Sequence, residues 1–238
     1  MKTHWRVVIL IGTILSVICA RATGADPTVI SRYELRLDTE ARGPARATLS
    51  LVLDRIEGET ALIPFPFAEI SDLSLVEGPA VAVAAATGAS GQTGILVTLP
   101  GGTATPLRLR LTCAVAKAIS EPAPAGRTVR MALLNTQPEP IRDLRISITF
   151  PEGLRGHAIR EARPAPGKAE PGPRAVLDAI DGRSGARLLV DSLPQGETAA
   201  LRVELARAEP SMAWLLAGLV LGALYLVSFR DLVRPPAK

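Results

Sequence analysis

The sequence predicts an all-β protein made of two antiparallel β-sandwich modules, followed by a single C-terminal transmembrane helix. Short stretches in which apolar and polar residues alternate recur along the central region, as half-buried strands require. Turn residues, mainly Gly and Pro, separate these stretches. The only stretch suited to a long helix is apolar and lies near the carboxyl end. Many short strands between turns favour antiparallel sandwiches.

Residues 1–25 are predicted to be a secretory signal peptide. Lys2 and Arg6 precede an apolar segment that is too short to favour a spanning helix. Small residues suit cleavage after Ala22 or Ala25. We therefore expect this segment to be removed and the region that follows it to lie outside the cytoplasm.

The transmembrane helix is predicted over 212–229, because the run from Met212 to Phe229 carries no charge. At about 1.5 Å per residue, this run nearly matches the hydrocarbon thickness of a bilayer. Basic residues in the short tail 230–238 place that tail in the cytoplasm by the positive-inside rule. Gly218 and Gly222 lie about one turn apart, so they favour a helix–helix contact and a homodimer. The first expected partner is the lipid bilayer.

The positive charge belongs mainly to the two ends of the chain. The formal net charge is +4 and the pI is about 9.5. The signal region carries a net charge of +3 and the tail +2, so the whole-chain value of +4 leaves −1 for the central region 26–211. A basic surface for a phosphate backbone is therefore not indicated, and we expect no nucleic-acid partner.

The first module is predicted over 26–119. Its strands are expected at 33–38, 49–53, 95–99 and 107–115, where apolar and polar residues alternate. A further segment, 81–86, is apolar but its side chains are small, and it suits either a weak strand or a short helix.

A proline-rich linker over 120–126 is predicted to separate this module from a second one over 127–208. Prolines cannot donate to a central ladder, so they mark a boundary. The second module contains the turn signal Asp181-Gly182. Its strands are expected where apolar and polar residues alternate again, at 129–133, 144–150, 188–190 and 201–205.

The second module resembles the immunoglobulin-like modules of bacterial envelope proteins over about residues 126–208. The resemblance rests on the stretch from Asn135 to Gly153, which contains Ile-Arg-Asp-Leu-Arg-Ile-Ser-Ile-Thr-Phe and then Pro-Glu-Gly. It also rests on Leu193-Pro-Gln-Gly-Glu-Thr, followed by Leu-Arg-Val-Glu-Leu. The resemblance implies an immunoglobulin-like fold and a spacer or binding module, without catalytic residues.

The C-terminal segment 208–230 partly resembles the PEP-CTERM sorting signals of exported Gram-negative proteins. Ala208-Glu209-Pro210 is followed by an apolar helix and basic residues, with alanine where that family has its first proline. The resemblance implies that a membrane transpeptidase-like enzyme processes the tail. A plain membrane anchor is the alternative.

The central region offers few residues for chemistry. His157 is its single histidine and Cys113 its single cysteine, which excludes a zinc site of His and Cys ligands and a disulfide within it. We expect no metal and no cofactor, and a buried, inert Cys113 thiol. A hydrolase would have to use His157 as the base, with Ser147 or Ser192 among the candidate nucleophiles. A solvated loop histidine is the alternative interpretation.

Phe65 and Phe67 form the one local motif that suggests a protein contact. They flank a proline, which blocks continuous ladder bonding, so an edge strand or an exposed loop could present both rings to a partner. Packing inside a sandwich that has few other aromatic residues is the alternative.

These observations together predict a non-enzymatic, membrane-anchored, extracytoplasmic protein of the bacterial cell envelope. It would cross the cell membrane once and act as a spacer or docking component of an envelope assembly, with a protein partner there. The second hypothesis is an exported surface or matrix protein that is processed at its C-terminal segment. The third is a hydrolase that uses His157.

Overall fold

The computed structural model describes residues 28–40, 43–56, 58–88, 91–120, 127–163, 174–207 and 212–233. The chain up to Ala206 belongs to one compact unit, the body, and the remainder belongs to a second unit. The predicted signal peptide, most of the linker and the sorting-signal residues 208–211 lie outside the described residues.

Strands make up most of the described residues, and one helix follows them. The elements in chain order are β1 (Thr28–Asp38), β2 (Ala45–Ile56), β3 (Thr60–Pro64), β4 (Ile70–Glu77), β5 (Ala82–Thr87), β6 (Thr93–Thr98), β7 (Leu107–Val115), β8 (Ile119–Ser120), β9 (Arg127–Leu134), β10 (Ile141–Thr149), β11 (Leu154–Arg163), β12 (Arg174–Ile180), β13 (Arg183–Leu193), β14 (Thr198–Arg207) and α1 (Met212–Val233).

Three sheets contain these strands. The largest has seven strands in the order β12-β13-β10-β1-β2-β7-β4. A four-stranded sheet has the order β11-β14-β9-β8, and a three-stranded sheet has the order β3-β6-β5. The ambiguous segment 81–86 thus lies largely in a strand, β5, at the edge of the smallest sheet.

The period-two pattern produces the core. On β1, Leu35 and Leu37 are fully buried while Glu34 between them is exposed. Because successive side chains of a strand point to opposite faces, each alternating stretch has one apolar face to bury. Residues from all three sheets contribute to one continuous hydrophobic cluster.

The fold prediction of two purely antiparallel modules is wrong at the centre of the large sheet. There β1 pairs in parallel with β10, from Tyr33 opposite Leu144 to Asp38 opposite Thr149. We call this pairing the seam. Alternation specifies which face of a strand is buried but not which strand lies beside it, so two stretches with the same pattern can pair across the predicted linker. The boundaries 26–119 and 127–208 themselves stay a prediction.

The end of the seam is held by the partly buried Arg183 and by two buried threonines. Arg183 donates through Nη2 to the carbonyl oxygens of Thr39 and Phe150, both at 2.7 Å. The hydroxyl of Thr39 donates to the carbonyl of Thr149 at 2.6 Å, and both threonines are buried. One guanidinium thus holds the ends of β1 and β10, each of which comes from a different predicted module.

The predicted transmembrane helix, and with it the membrane-spanning part of the fold prediction, is wrong. Residues 212–233 do form a helix, α1. However, no helix among the described residues has both the length and the apolar character needed to cross a membrane. A crossing requires about 20 consecutive, predominantly apolar residues. The uncharged run ends at Phe229, and the last turn of α1 includes Arg230 and Asp231.

Candidate docking surface

The solvent-facing side of the seven-stranded sheet carries charged side chains that form ion pairs with one another. On the central strands, one side of the alternation is buried and the other side faces water. We call this side the polar face, and we define it by Arg32, Glu34, Arg36, Ser50, Arg108, Arg110, Asp143, Arg145, Ser147, Asp181 and Arg187. Because β1 and β10 meet at the seam, both predicted modules contribute to it.

Asp143 is the central carboxylate of the polar face. It adopts a φ of 43°, a left-handed conformation that Asp tolerates better than most residues. One carboxylate oxygen accepts from Nε of Arg145 at 2.7 Å, and the other accepts from Nε of Arg32 at 3.0 Å. The hydrogen bond from Arg145, together with the positive charges of both arginines, lowers the pKa of Asp143. The bond from Arg32 joins β1 to β10 on the outside of the sheet, whereas Arg145 and Asp143 both lie on β10.

A second ion pair crosses the seam at the hairpin between β12 and β13. Asp181 and Gly182 both have positive φ, 50° and 77°, as a two-residue type I′ turn requires. The predicted turn at these residues is therefore confirmed. The turn places the Asp181 carboxylate against Arg36, and this hydrogen bond raises the pKa of the guanidinium.

Two shallow depressions lie on either side of Glu34. The first, about 550 Å³ in volume, is lined by three arginines, Arg32, Arg108 and Arg110, and by two carboxylates, Glu34 and Glu77. The nearest carboxylate to Arg110 is that of Glu77 at 3.8 Å, and Arg108 forms no ion pair within the described part of the chain. Arginine charge is therefore in excess in this depression.

The second depression has the opposite balance. It is lined by the carboxylates of Glu34, Asp143, Asp181 and Asp191 and by three arginines, Arg36, Arg145 and Arg187. The polar face is consequently polarised along the sheet, with a positive region toward β7 and a more acidic region toward β13. Such a surface can hold complementary charges of a partner, and an arginine can bind a carboxylate through two hydrogen bonds. No cluster that could hold a metal ion occurs among the described residues.

The two phenylalanines proposed as a partner contact lie inside the body. Phe65 is 1% exposed and Phe67 is 7% exposed. Their rings pack edge to face with centroids 5.9 Å apart. In this fold they contribute to the core, which is the alternative that the sequence left open, and a partner could reach them only if the body opened.

Gly218 and Gly222 lie in α1, and a Cβ atom added at either position would meet nothing within 4 Å. Within the described part of the chain, no neighbouring group therefore requires a residue without a side chain at either position. The proposed helix–helix contact remains a prediction.

The two residues considered for chemistry, Cys113 and His157, lie in different sheets. Cys113 is buried, and burial raises the pKa of its thiol to about 11, so the reactive thiolate is scarce at neutral pH. His157 is exposed on β11, in the four-stranded sheet, whereas Ser147 and Ser192 belong to the seven-stranded sheet. His157 forms no hydrogen bond to a serine within the described ranges.

Sequence reasoning missed the polar face as a unit. The outward charges of β1, β7 and β10 were each visible in the alternation. The pairing of Arg32 with Asp143 joins residues that are 111 positions apart, and no local signal reports it. The small side chains of β5 were visible in the sequence, although the position of β5 at a sheet edge was not.

No family model matches the sequence, and no curated protein matches it. Among solved structures, the chain is similar to a candidate protease from Parabacteroides distasonis, with a TM-score of 0.46 and 13% identity, covering 76% of this chain and 41% of that one. It is also similar to the M1 zinc metallopeptidase from Deinococcus radiodurans, with a TM-score of 0.42 and 14% identity, covering 77% of this chain and 44% of that one. The chain spans less than half the length of both structures, and likeness at this level assigns no function.

Proposed function

We propose that this chain is a non-catalytic, extracytoplasmic docking component that binds a protein partner of the cell envelope through the polar face. The predicted signal peptide over 1–25 supports the location. The observation that carries the proposal is the arginine–carboxylate cluster at the seam, in which Asp143 of β10 binds Arg32 of β1 and Arg145 of its own strand. The bond between Arg32 and Asp143 exists only when β1 and β10 are paired.

The pairs favour recognition over stabilisation of the fold. Arg32, Arg145 and Asp143 are about a third to a half exposed, and ion pairs with such exposure contribute only about 0–1 kcal/mol to folding. Their geometry is nevertheless defined, because each guanidinium is held against a carboxylate. Arginines that are held in place suit an interface, since less side-chain entropy is lost when a partner binds.

The charge distribution indicates the chemistry of the partner. Arg108 and Arg110 in the first depression suit carboxylates of the partner, and the acidic second depression suits basic side chains. Both depressions are shallow and open to water. A folded protein surface with one acidic and one basic region therefore fits better than a small molecule, which needs an enclosed, mostly apolar pocket.

Site-specific photocrosslinking tests this proposal in the cells that naturally make the chain. A photoreactive amino acid replaces Val52, which lines the first depression, and in a control protein it replaces Ala132, which is exposed on β9 in another sheet. We expect a crosslinked product of defined mass from position 52 only. Identical products from both positions, or none from position 52, would contradict the proposal.

Charge reversal provides the second arm of this experiment. Arg108→Glu places a like charge opposite the proposed acidic region of the partner, and we expect the crosslink from position 52 to fall at least about tenfold. Arg130→Glu is the matched control, because Arg130 is an exposed arginine on β9 away from the polar face. A product that survives Arg108→Glu but disappears with Arg130→Glu would place the interface elsewhere.

A further inference from the structure

The two edges of the three-stranded sheet differ in how their backbone groups are covered. At the β3 edge, the hydroxyl of Tyr33 donates to the carbonyl of Pro64 at 3.0 Å, and the side chain of Gln137 donates to the carbonyl of Leu62. Pro64 has no backbone N–H group and so cannot donate to a further strand. Side chains of the same molecule therefore occupy two outward carbonyls of this edge, those of Leu62 and Pro64.

At the β5 edge, no side chain of the described residues covers the outward backbone groups. The N–H of Gly88 donates to the carbonyl of Gln92 at 2.8 Å, in line with the register of β5 and β6. Hydrogen bonding alternates along an antiparallel strand, so the even-numbered residues of β5 bond to β6. The N–H and C=O groups of Val83, Ala85 and Thr87 consequently point away from β6. Within the described ranges, β5 pairs with β6 and with no other strand.

The other outer strands of the body carry features that discourage strand addition. Register shifts interrupt β4, where Asp72 has a φ of 51°. β12 carries Arg174 and Asp178, β11 carries Arg155 and Arg160, and β8 has two residues. Charges, irregular geometry and short length are the usual protection of sheet edges. From Val81 to Gly88, the β5 region has no charge and no proline.

We propose that the β5 edge pairs with the β5 edge of a second copy of this chain, antiparallel, about a twofold axis. Self-pairing places each residue opposite itself or a near neighbour, so any charge would face a like charge. The absence of charge over 81–88 removes that conflict. Small side chains at Ala82, Ala84 and Ala85, which are all exposed, also avoid steric conflict between the copies.

The covered β3 edge explains why such pairing would stop at two copies. The paired sheets would have the order β3-β6-β5-β5-β6-β3, and both outer edges of this six-stranded sheet would be β3. Since Tyr33 and Gln137 occupy the outward carbonyls of Pro64 and Leu62, a third copy cannot form the same strand pairing along β3. The assembly is therefore a closed dimer and not a fibre. This inference is independent of the polar face and of the proposed function.

Sedimentation velocity of the full chain over a concentration series tests the proposal, with mild detergent to keep the apolar helix α1 in solution. We expect a reversible monomer–dimer equilibrium. Ala85→Pro removes an outward N–H while leaving the bonds between β5 and β6 intact, and we expect it to raise the dimer dissociation constant at least about tenfold.

A charge-swap pair keeps the test decisive if Ala85→Pro unfolds the protein. Ala84→Lys and Ala84→Glu alone should each be monomeric at concentrations where the parent chain is a dimer, and an equimolar mixture of the two should regain the dimer. A parent chain that is monomeric throughout would overturn the proposal. A dimer that persists in both charged variants would also overturn it, and loss of that dimer in Gly218→Ile would assign it to α1.

Discussion

The β3 and β5 edges belong to the same three-stranded sheet, and they show two ways in which a strand can end a sheet. β3 has two outward carbonyls, those of Leu62 and Pro64, bound by Gln137 and Tyr33, side chains that come from the loop before β10 and from the seven-stranded sheet. β5 exposes its outward groups and carries small, uncharged residues. The protection of the β3 edge thus depends on side chains from distant parts of the chain. The lack of protection at β5 can be seen from the residues of that strand alone.

The largest expected effect comes from removing the residue that positions the β3 cover. The side chain of Asn135 is buried, donates to the carbonyls of Glu139 and Leu193 at 3.0 and 2.8 Å, and accepts from the backbone N–H of Gln137 at 2.9 Å. Asn135→Ala should lower the free energy of unfolding by about 3 kcal/mol, because three buried backbone groups lose their partner. Urea unfolding measures this loss. A loss of less than about 1 kcal/mol would mean that water replaces the amide.

Alkaline pH should act on the covered edge next. Burial raises the pKa of Tyr33 strongly and that of the Cys113 thiol to about 11, and Cys113 contributes to the raised value of Tyr33. A group whose pKa is higher in the folded state than in the unfolded state loses stabilisation as pH rises, because the unfolded chain releases the proton first. We expect about 2 kcal/mol to be lost between pH 9 and 11. Cys113→Ala should reduce this slope, and an unchanged slope would contradict the assignment.

The hydroxyl of Tyr33 can be removed without emptying the core. Tyr33→Phe leaves the carbonyl of Pro64 unpaired in a buried position and should cost about 1–2 kcal/mol in unfolding free energy. The matched control is Tyr225→Phe, because Tyr225 is the other tyrosine of the chain and is 62% exposed on α1. Differential scanning calorimetry of both variants gives the comparison. Equal losses of stability in the two variants would contradict a specific contribution of the hydrogen bond between Tyr33 and Pro64.

Gln137→Ala should change assembly more than stability. The loss of one partly buried hydrogen bond should cost about 1 kcal/mol, and the carbonyl of Leu62 becomes free on the β3 edge. If both edges of the sheet are open, copies can add at either side, so we expect species larger than a dimer at high concentration. Light scattering would reveal them. A variant that remains strictly dimeric would show that Tyr33 and Pro64 suffice to close β3.

The smallest stability effect is expected at the open edge. Ala84→Lys adds a charge to an exposed side of β5 and should change the free energy of unfolding by less than about 0.5 kcal/mol. Its effect on dimerisation should nevertheless be the clearest of all these variants. If this substitution destabilises the monomer by more than about 1 kcal/mol, then β5 is packed more closely than its exposure indicates. Thermal unfolding at low protein concentration separates the two effects.

Much of the fold could be predicted from the sequence because it depends on local alternation. The strands over 33–38, 107–115 and 144–150 were expected within a few residues, since each has one apolar face. The parallel seam could not be predicted, because no local pattern distinguishes one neighbouring strand from another. β3, β4 and β11 were not expected, since irregular geometry and mixed residues obscure their period.

The polar face and the covered β3 edge depend on contacts between distant parts of the chain. Tyr33 and Pro64 are 31 residues apart, and Gln137 and Leu62 are 75 apart. Single residues such as Tyr33 could be assigned to the core by their place in the alternation. The partner of a buried hydroxyl or amide is set by tertiary packing, which a single sequence does not reveal.

The seam also has a consequence for the order of folding during synthesis. β1 is made long before β10, and their pairing joins residues more than a hundred positions apart. Contacts over such separations form slowly, because a long loop must close before they contribute free energy. Until β10 emerges, β1 has one unpaired side, and a chain interrupted after β7 would expose it. The central strand of the finished body is therefore an open edge for much of its synthesis, when a chaperone that binds extended strands would matter most.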